Sequence, residues 1–123
     1  MRLVILESPF KGEGPNRLVR WINRWRNKWY ARACMHHAIV ECGDSPMASH
    51  LLYTQCLDDN NPEQRALGIK AGLAWGKAAE ATVVYVDRGV TDGMKLGIAR
   101  AASEGRIVQY RSLDPFKYVQ RQP

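Results

Sequence analysis

The sequence predicts an α/β protein: one parallel sheet of about four strands covered by helices on both faces, a three-layer sandwich. Three observations predict it. Two short apolar runs, LVIL at 3–6 and ATVVYV at 81–86, lack polar alternation, as strands buried on both faces do. Stretches with helical spacing of apolar residues lie between the strand-like runs. The two kinds of segment alternate, which implies parallel strands joined by right-handed crossovers. At 123 residues and 14.0 kDa the chain suits a single domain spanning 1–123.

Each element has a local reason. The first strand, 3–6, runs into ESPFKGEGPN, a Gly/Pro loop. A helix follows over 15–37, with Leu18, Ile22, Trp25, Trp29 and Ala33 as its expected inner stripe. The run 38–42 reads as the second strand. GDSPMASHLLYTQCLDDNNPEQR is the least regular region, a long loop around a short helix near 48–56, and long loops in compact domains are often functional. Asn61 before Pro62 starts the next helix, because Asn caps and Pro fits the first helical position. Ile69, Leu73 and Gly76, with Ala66 and Leu67, form its expected apolar side. The third strand at 81–86 has Asp87 at its carboxyl end. A helix over 92–104, a turn at Gly105 and a strand over 106–111 complete a small Rossmann-like sandwich, and the tail SLDPFKYVQRQP has no clear period.

Composition narrows the function classes. With 46% hydrophobic and 24% charged residues the chain falls in the globular range. No apolar run approaches the roughly 20 residues of a membrane span, so no membrane partner is expected. The start, MRLVILESPF, reaches Glu7 and Pro9 too soon for a signal peptide. Cys34, Cys42 and Cys56 are odd in number and lack redox or zinc spacing, which suits a cytoplasmic location. In CMHH at 34–37 adjacent histidines point to different helix faces and no second cluster completes a site, so neither metal nor cofactor is expected.

The net charge of +6 has one source. Arg17, Arg20, Arg24, Arg26, Lys28 and Arg32 have no acidic residue among them, and the other twelve Lys and Arg balance twelve Asp and Glu. A basic helix can follow a phosphate backbone, but a solvated outer face is the commoner explanation, so nucleic acid is not the expected partner. Trp21, Trp25 and Trp29 on the same helix suggest that part of this face is covered in a homodimer or higher homo-oligomer.

Loops beyond the carboxyl ends of parallel strands line the ligand crevice. That rule gathers Glu7 and Ser8 after the first strand, Asp44, Ser45, Ser49 and His50 after the second, and Asp87, Gly89, Thr91, Asp92 and Gly93 after the third. Each also has a structural reading. Thr91 or Asp92 caps the last helix, Gly89 and Gly93 serve the turn, and Asp87 binds loop amides. A carboxylate such as Glu7, straight after a buried apolar strand, has few structural uses.

The motifs LVILESPF, ATVVYVDRG and TDGMKLGIARAASEG, with the middle stretch SPMASHLLYTQCLDDNNPEQRALGIKAGLAWG, resemble the nucleoside 2-deoxyribosyltransferase family and its short stand-alone relatives in bacteria and phages. The resemblance covers nearly the whole chain, least well at the basic helix. It implies a Rossmann-like, usually oligomeric protein whose pocket holds a nucleoside or nucleotide and acts on the base–sugar bond; for a phage-associated chain a counter-defence role is the further expectation. In that family a glutamate after the Gly-Met pair attacks the anomeric carbon and a loop aspartate assists. Aligned on Gly93-Met94, the glutamate's place is held by Lys95, and the aspartate corresponds loosely to Asp87 or Asp92. An ammonium cannot replace that carboxylate, so the resemblance does not carry over base exchange. Lys95 is either a solvated helix lysine or, facing the pocket, a contact for a ligand phosphate.

The expectation is therefore a nucleotide-processing protein that hydrolyses an N-glycosidic bond without a covalent intermediate. Glu7 is the first carboxylate, Asp87 or Asp92 the second choice, and His50 a proton donor. Ser8, Pro9, Phe10, Ser49, Gly89, Thr91, Gly93, Met94 and Lys95 would line the nucleotide pocket. The alternative is a protein that sequesters a nucleotide signal unchanged.

Overall fold

The structure is a computed structural model that describes residues 1–114. Most of the carboxyl-terminal tail lies outside the described residues. Four parallel strands, β1 (Arg2–Glu7), β2 (Asp44–Met47), β3 (Ala81–Tyr85) and β4 (Ile107–Arg111), form one sheet in the order β2-β1-β3-β4. The connecting helices are α1 (Arg17–Val40), α2 (Ser49–Leu52), α3 (Pro62–Gly76) and α4 (Asp92–Ser103), with a 3-10 turn at Tyr53–Gln55 after α2. This is the α/β, Rossmann-like sandwich expected from the alternating segments.

Alternation along the strands sorts the core into two layers. Val4, Leu6, Ala81, Val83 and Tyr85 pack with Cys34 and Ala38 of α1, whereas Val84 and Val108 pack with Met94 and Ala101 of α4. β3 is buried at every position, as its unbroken ATVVY run requires. Because the chain leaves β1 toward β2 on one side and continues through β3 to β4 on the other, strand order reverses between β1 and β3. The loops diverge there and open a crevice.

Three expectations need correction. The segment 38–42 is not a strand: α1 continues to Val40, and the second strand is Asp44–Met47. Ala38 prolongs a stripe of small residues that lets the helix lie close to the sheet, and Gly43, at φ 67, makes the turn into β2. DSPM gives little strand signal because β2 is an edge, where Pro46 is tolerated. Asp44 and Ser45 therefore lie within β2 and not after it. Asp44 is buried, with Arg111 Nη2 at 2.6 Å and Arg2 Nε at 3.5 Å.

The inner stripe of α1 also differs. Asn27, Ala31, Cys34 and Ala38 are its buried residues, whereas Leu18, Trp25 and Trp29 are 66%, 54% and 50% exposed. The carboxyl-terminal half of α1 packs on the sheet, whereas its first half is crossed by the loop after β1 through Asn23 and Asn27, and Leu18, Trp25 and Trp29 stay largely exposed. Burial pushes the Cys34 thiol up to about 12, so this cysteine is an inert core residue.

In α3, Leu67 and Ile69 are exposed, and close approach comes through glycines spaced four apart. A Cβ on Gly68 would lie 3.3 Å from Leu57, one on Gly72 would lie 2.7 Å from Ser49, and one on Gly76 would lie 3.1 Å from Arg106. Among the described residues no helix is long and apolar enough to cross a membrane.

Candidate functional site

A cavity of about 420 Å³ opens at the carboxyl ends of the strands, where the order reverses. Its walls come from the loop after β1, from α2 and the segment that follows it, from the start of α3, and from the amino-terminal turn of α4. Nine of the expected site residues line it: Glu7, Ser8, Phe10, Ser49, His50, Thr91, Asp92, Gly93 and Met94. Pro9, Asp87, Gly89 and Lys95 do not.

Glu7 ends β1 with its side chain on the α4 face. A Cβ on Gly97 would come within 2.2 Å of Glu7 Oε1, so the missing side chain of Gly97 makes the space that the carboxyl occupies. Among the described residues no hydrogen bond reaches this carboxyl. Removal from water pushes its pKa up to about 7, while the nearby Arg106 guanidinium pulls the other way. Arg106 is itself occupied. Its Nε donates to Thr82 Oγ1 at 2.9 Å and its Nη1 to the Gly76 carbonyl at 2.6 Å.

Next to Glu7, the Ser8 hydroxyl and His50 Nε2 are 3.0 Å apart. The Phe10 ring lies 5.6 Å from the imidazole between centroids. Burial pushes the His50 pKa down to about 4, so the ring is neutral near pH 7. Ser49 and His50 are positioned by the close contact between α2 and Gly72 of α3.

The loop after β3 divides its acids. Asp87 turns toward α1. Its carboxylate accepts hydrogen bonds from the Tyr30 hydroxyl at 2.7 Å, the Leu113 N–H at 3.0 Å and the Ser112 hydroxyl. Burial would raise its pKa, but those bonds hold it below the usual carboxylate range. Gly89 makes the turn at φ 86. Thr91 is the cap of α4, accepting from the Met94 N–H. Asp92, the first helical residue, stands on the cavity rim with its side chain fully exposed. Lys95 is 67% exposed and lies 3.9 Å from Asp92, as expected of a solvated helix lysine.

Most other lining residues lie in segments that the sequence marked as loops able to face a ligand, but none was singled out as a site residue. Lys11 and Glu13 belong to the Gly/Pro loop after β1, which was open to a ligand but offered no reason to single out these two. Gln64, Arg65, Gly68 and Ile69 share one side of α3, and their i, i+4 spacing is visible only once the helix is known to face the site. Tyr53, Leu57, Ile69, Met94 and Leu96 supply apolar wall on which a planar ring could lie. Among the described residues no group of three or more His, Cys, Asp or Glu could hold a metal ion.

The profile of DUF7768, described as a domain of unknown function, matches residues 2–111. The chain belongs to the DUF7768 family. No curated protein matches this DUF7768 domain. Among solved structures it is similar to a 2-deoxyribosyltransferase from the psychrotolerant bacterium Bacillus psychrosaccharolyticus, a biocatalyst for the synthesis of nucleosides. That likeness has a TM-score of 0.60 at 16% identity, covering 94% of the DUF7768 chain and 76% of the enzyme. At that identity the two share a fold.

Proposed function

We propose that this chain binds a nucleotide in the cavity beside Glu7 and hydrolyses its base–sugar bond. The observation that carries the proposal is the Glu7 carboxyl itself: at the strand reversal, lodged against Gly97, without a hydrogen bond from the described residues, and on the wall of a cavity large enough for a nucleoside. Partial removal from water makes the ionised form of this carboxyl costly to the fold, which suits a group that serves a ligand. Likeness to a 2-deoxyribosyltransferase fold supports a ligand of nucleoside type.

In the proposed reaction the ionised Glu7 takes a proton from a water molecule. The water oxygen bonds to the anomeric carbon as the C–N bond breaks, and the electron pair of that bond leaves with the base, which is protonated from solvent. A pKa of about 7 suits a general base at neutral pH. His50, neutral there, positions the Ser8 hydroxyl.

One observation favours the second reading, retention of the nucleotide without cleavage: His50 has no surplus proton to give a departing base. Incubation with a panel of nucleotides and cyclic dinucleotides, followed by chromatography of the filtrate and of the heat-released fraction, separates the two. Free base in the filtrate supports hydrolysis. Intact ligand recovered only after heating supports retention and removes the hydrolytic reading.

A further inference from the structure

A second cavity, of about 390 Å³, adjoins the first, and Phe10, Lys11, Asp59 and Arg65 line both. Most of its remaining wall is the amino-terminal half of α1, where Arg17, Arg20 and Arg24 share one helix face through their three-, four- and seven-residue spacing. Five cations thus face a space that holds one carboxylate, Asp59. Among the described residues none of the five has an acidic group within ion-pair distance.

The cluster is built in advance. Asn23 and Asn27 of α1 donate to the carbonyls of Glu13 and Lys11 at 2.6 and 3.2 Å, and Arg20 donates to the Gly14 carbonyl at 3.2 Å. A Cβ on Gly12 would lie 2.0 Å from the Arg20 carbonyl oxygen, so this glycine lets the loop lie flat on the helix. The result holds Lys11 beside the arginines. Arg24 also stacks over Phe10 at 5.3 Å, which joins this cluster to the aromatic wall of the Glu7 cavity. Like charges at helical spacing oppose one another, and Asp59 is the one carboxylate in the space against five cations. An anionic ligand would offset the remainder.

We propose that this cavity is the phosphate subsite of the Glu7 site and that the ligand is a nucleoside 5′-polyphosphate. The proposal rests on the nucleotide reading of the Glu7 cavity and extends it. With the sugar at Glu7, one phosphate reaches the shared wall at Lys11 and Arg65, and further phosphates fall on Arg17, Arg20 and Arg24. A monophosphate would leave those three arginines unused. Guanidinium forks match phosphate oxygens in pairs, and Trp21 also lines the space.

The test is calorimetric titration with inorganic tripolyphosphate of the wild-type protein, the double variant Arg17→Gln/Arg24→Gln, and Arg26→Gln on the opposite face of α1. Circular dichroism melts confirm that the variants fold. Saturable binding is expected, weakened at least ~ten-fold in the double variant and unchanged in Arg26→Gln. Equal loss in Arg26→Gln, or none in the double variant, overturns the proposal. So does preferential binding of single-stranded DNA that tripolyphosphate does not displace. Base release from a nucleoside, its monophosphate and its triphosphate separates this inference from the reading beneath it. Equal kcat/KM for all three refutes the subsite and keeps hydrolysis. Tripolyphosphate binding lost in the double variant, with no base released from any of them, refutes hydrolysis and keeps the subsite.

Discussion

Replacing Glu7 by Gln keeps the shape of the side chain and removes its ionisation, so one variant measures the strain that the site places on the fold. In the folded protein the Glu7 pKa rises from 4.5 to about 7. The folded state therefore holds this proton more tightly than the unfolded chain does. The contribution of Glu7 to stability is fully present below the unfolded value and is lost as pH rises through about 7. A shift of that size corresponds to about 3 kcal/mol, at roughly 1.4 kcal/mol per unit. Glu7→Gln should accordingly be more stable than wild type by up to about 3 kcal/mol near pH 8, and the gain should vanish by about pH 4. Urea-unfolding free energies of both proteins at the two pH values measure this difference, in which the titration of His50 largely cancels. An equal difference at the two pH values, or a less stable variant near pH 8, would refute the desolvation of the Glu7 carboxyl. The stabilised variant should have lost base release, the exchange of stability for activity expected of a functional carboxylate.

Further predictions concern the surroundings of Glu7 and the residues that hold the sheet. Gly97→Ala drives a methyl group into Glu7 Oε1 and should cost about 1–3 kcal/mol in urea unfolding. The double variant Glu7→Ala/Gly97→Ala should recover most of that cost, and a strictly additive pair would contradict the contact. Asp87→Asn should destabilise by about 1.5–3 kcal/mol near neutral pH, because it weakens the acceptor for Tyr30, Ser112 and Leu113. Since the folded state holds the Asp87 pKa below its usual value, wild type gains this stability above about pH 4 and loses it as pH falls further, so the difference should shrink on acidification while nucleotide binding by Asp87→Asn stays intact. Arg111→Met removes the 2.6 Å partner of buried Asp44 and should cost about 3–5 kcal/mol by thermal or urea denaturation. The rate of base release should rise with pH as Glu7 ionises and level off above about 7, with no separate limb from the ring of Ser8-bound His50 in that range.

How much of this was legible in the chain can be judged residue by residue. β3 was readable because a strand buried on both faces needs an unbroken apolar run. The start of α3 was readable because its cap is local: Asn61 accepts from Glu63 and Gln64, and Pro62 occupies the first turn. Thr91 or Asp92 was expected to cap α4, and the side chain of Thr91 takes that role, leaving Asp92 on the rim. β2 was not readable, because an edge strand of four residues with a buried Asp and a Pro depends on distant partners, Arg111 above all. The inner face of α1 was misread for a related reason. Period alone shows which residues share a side, but only the extent of the sheet decides which half of a long helix is covered.

The sequence alone determined the elements whose causes lie within a few residues, and with them the parallel sheet and the crevice at its strand ends that brings Glu7, Ser8, His50 and the start of α4 toward one another. Tertiary structure decided which of these groups face the ligand. Asp87 is drawn away by Tyr30 and Ser112, Lys95 is left to solvent, and Glu7 is pressed into the space that Gly97 leaves open. It also placed Lys11, Arg65 and the α1 arginines around a common space. Hydrogen bonding and desolvation depend on groups far apart in the chain, so the charge state and orientation of a side chain exist only once those groups have met.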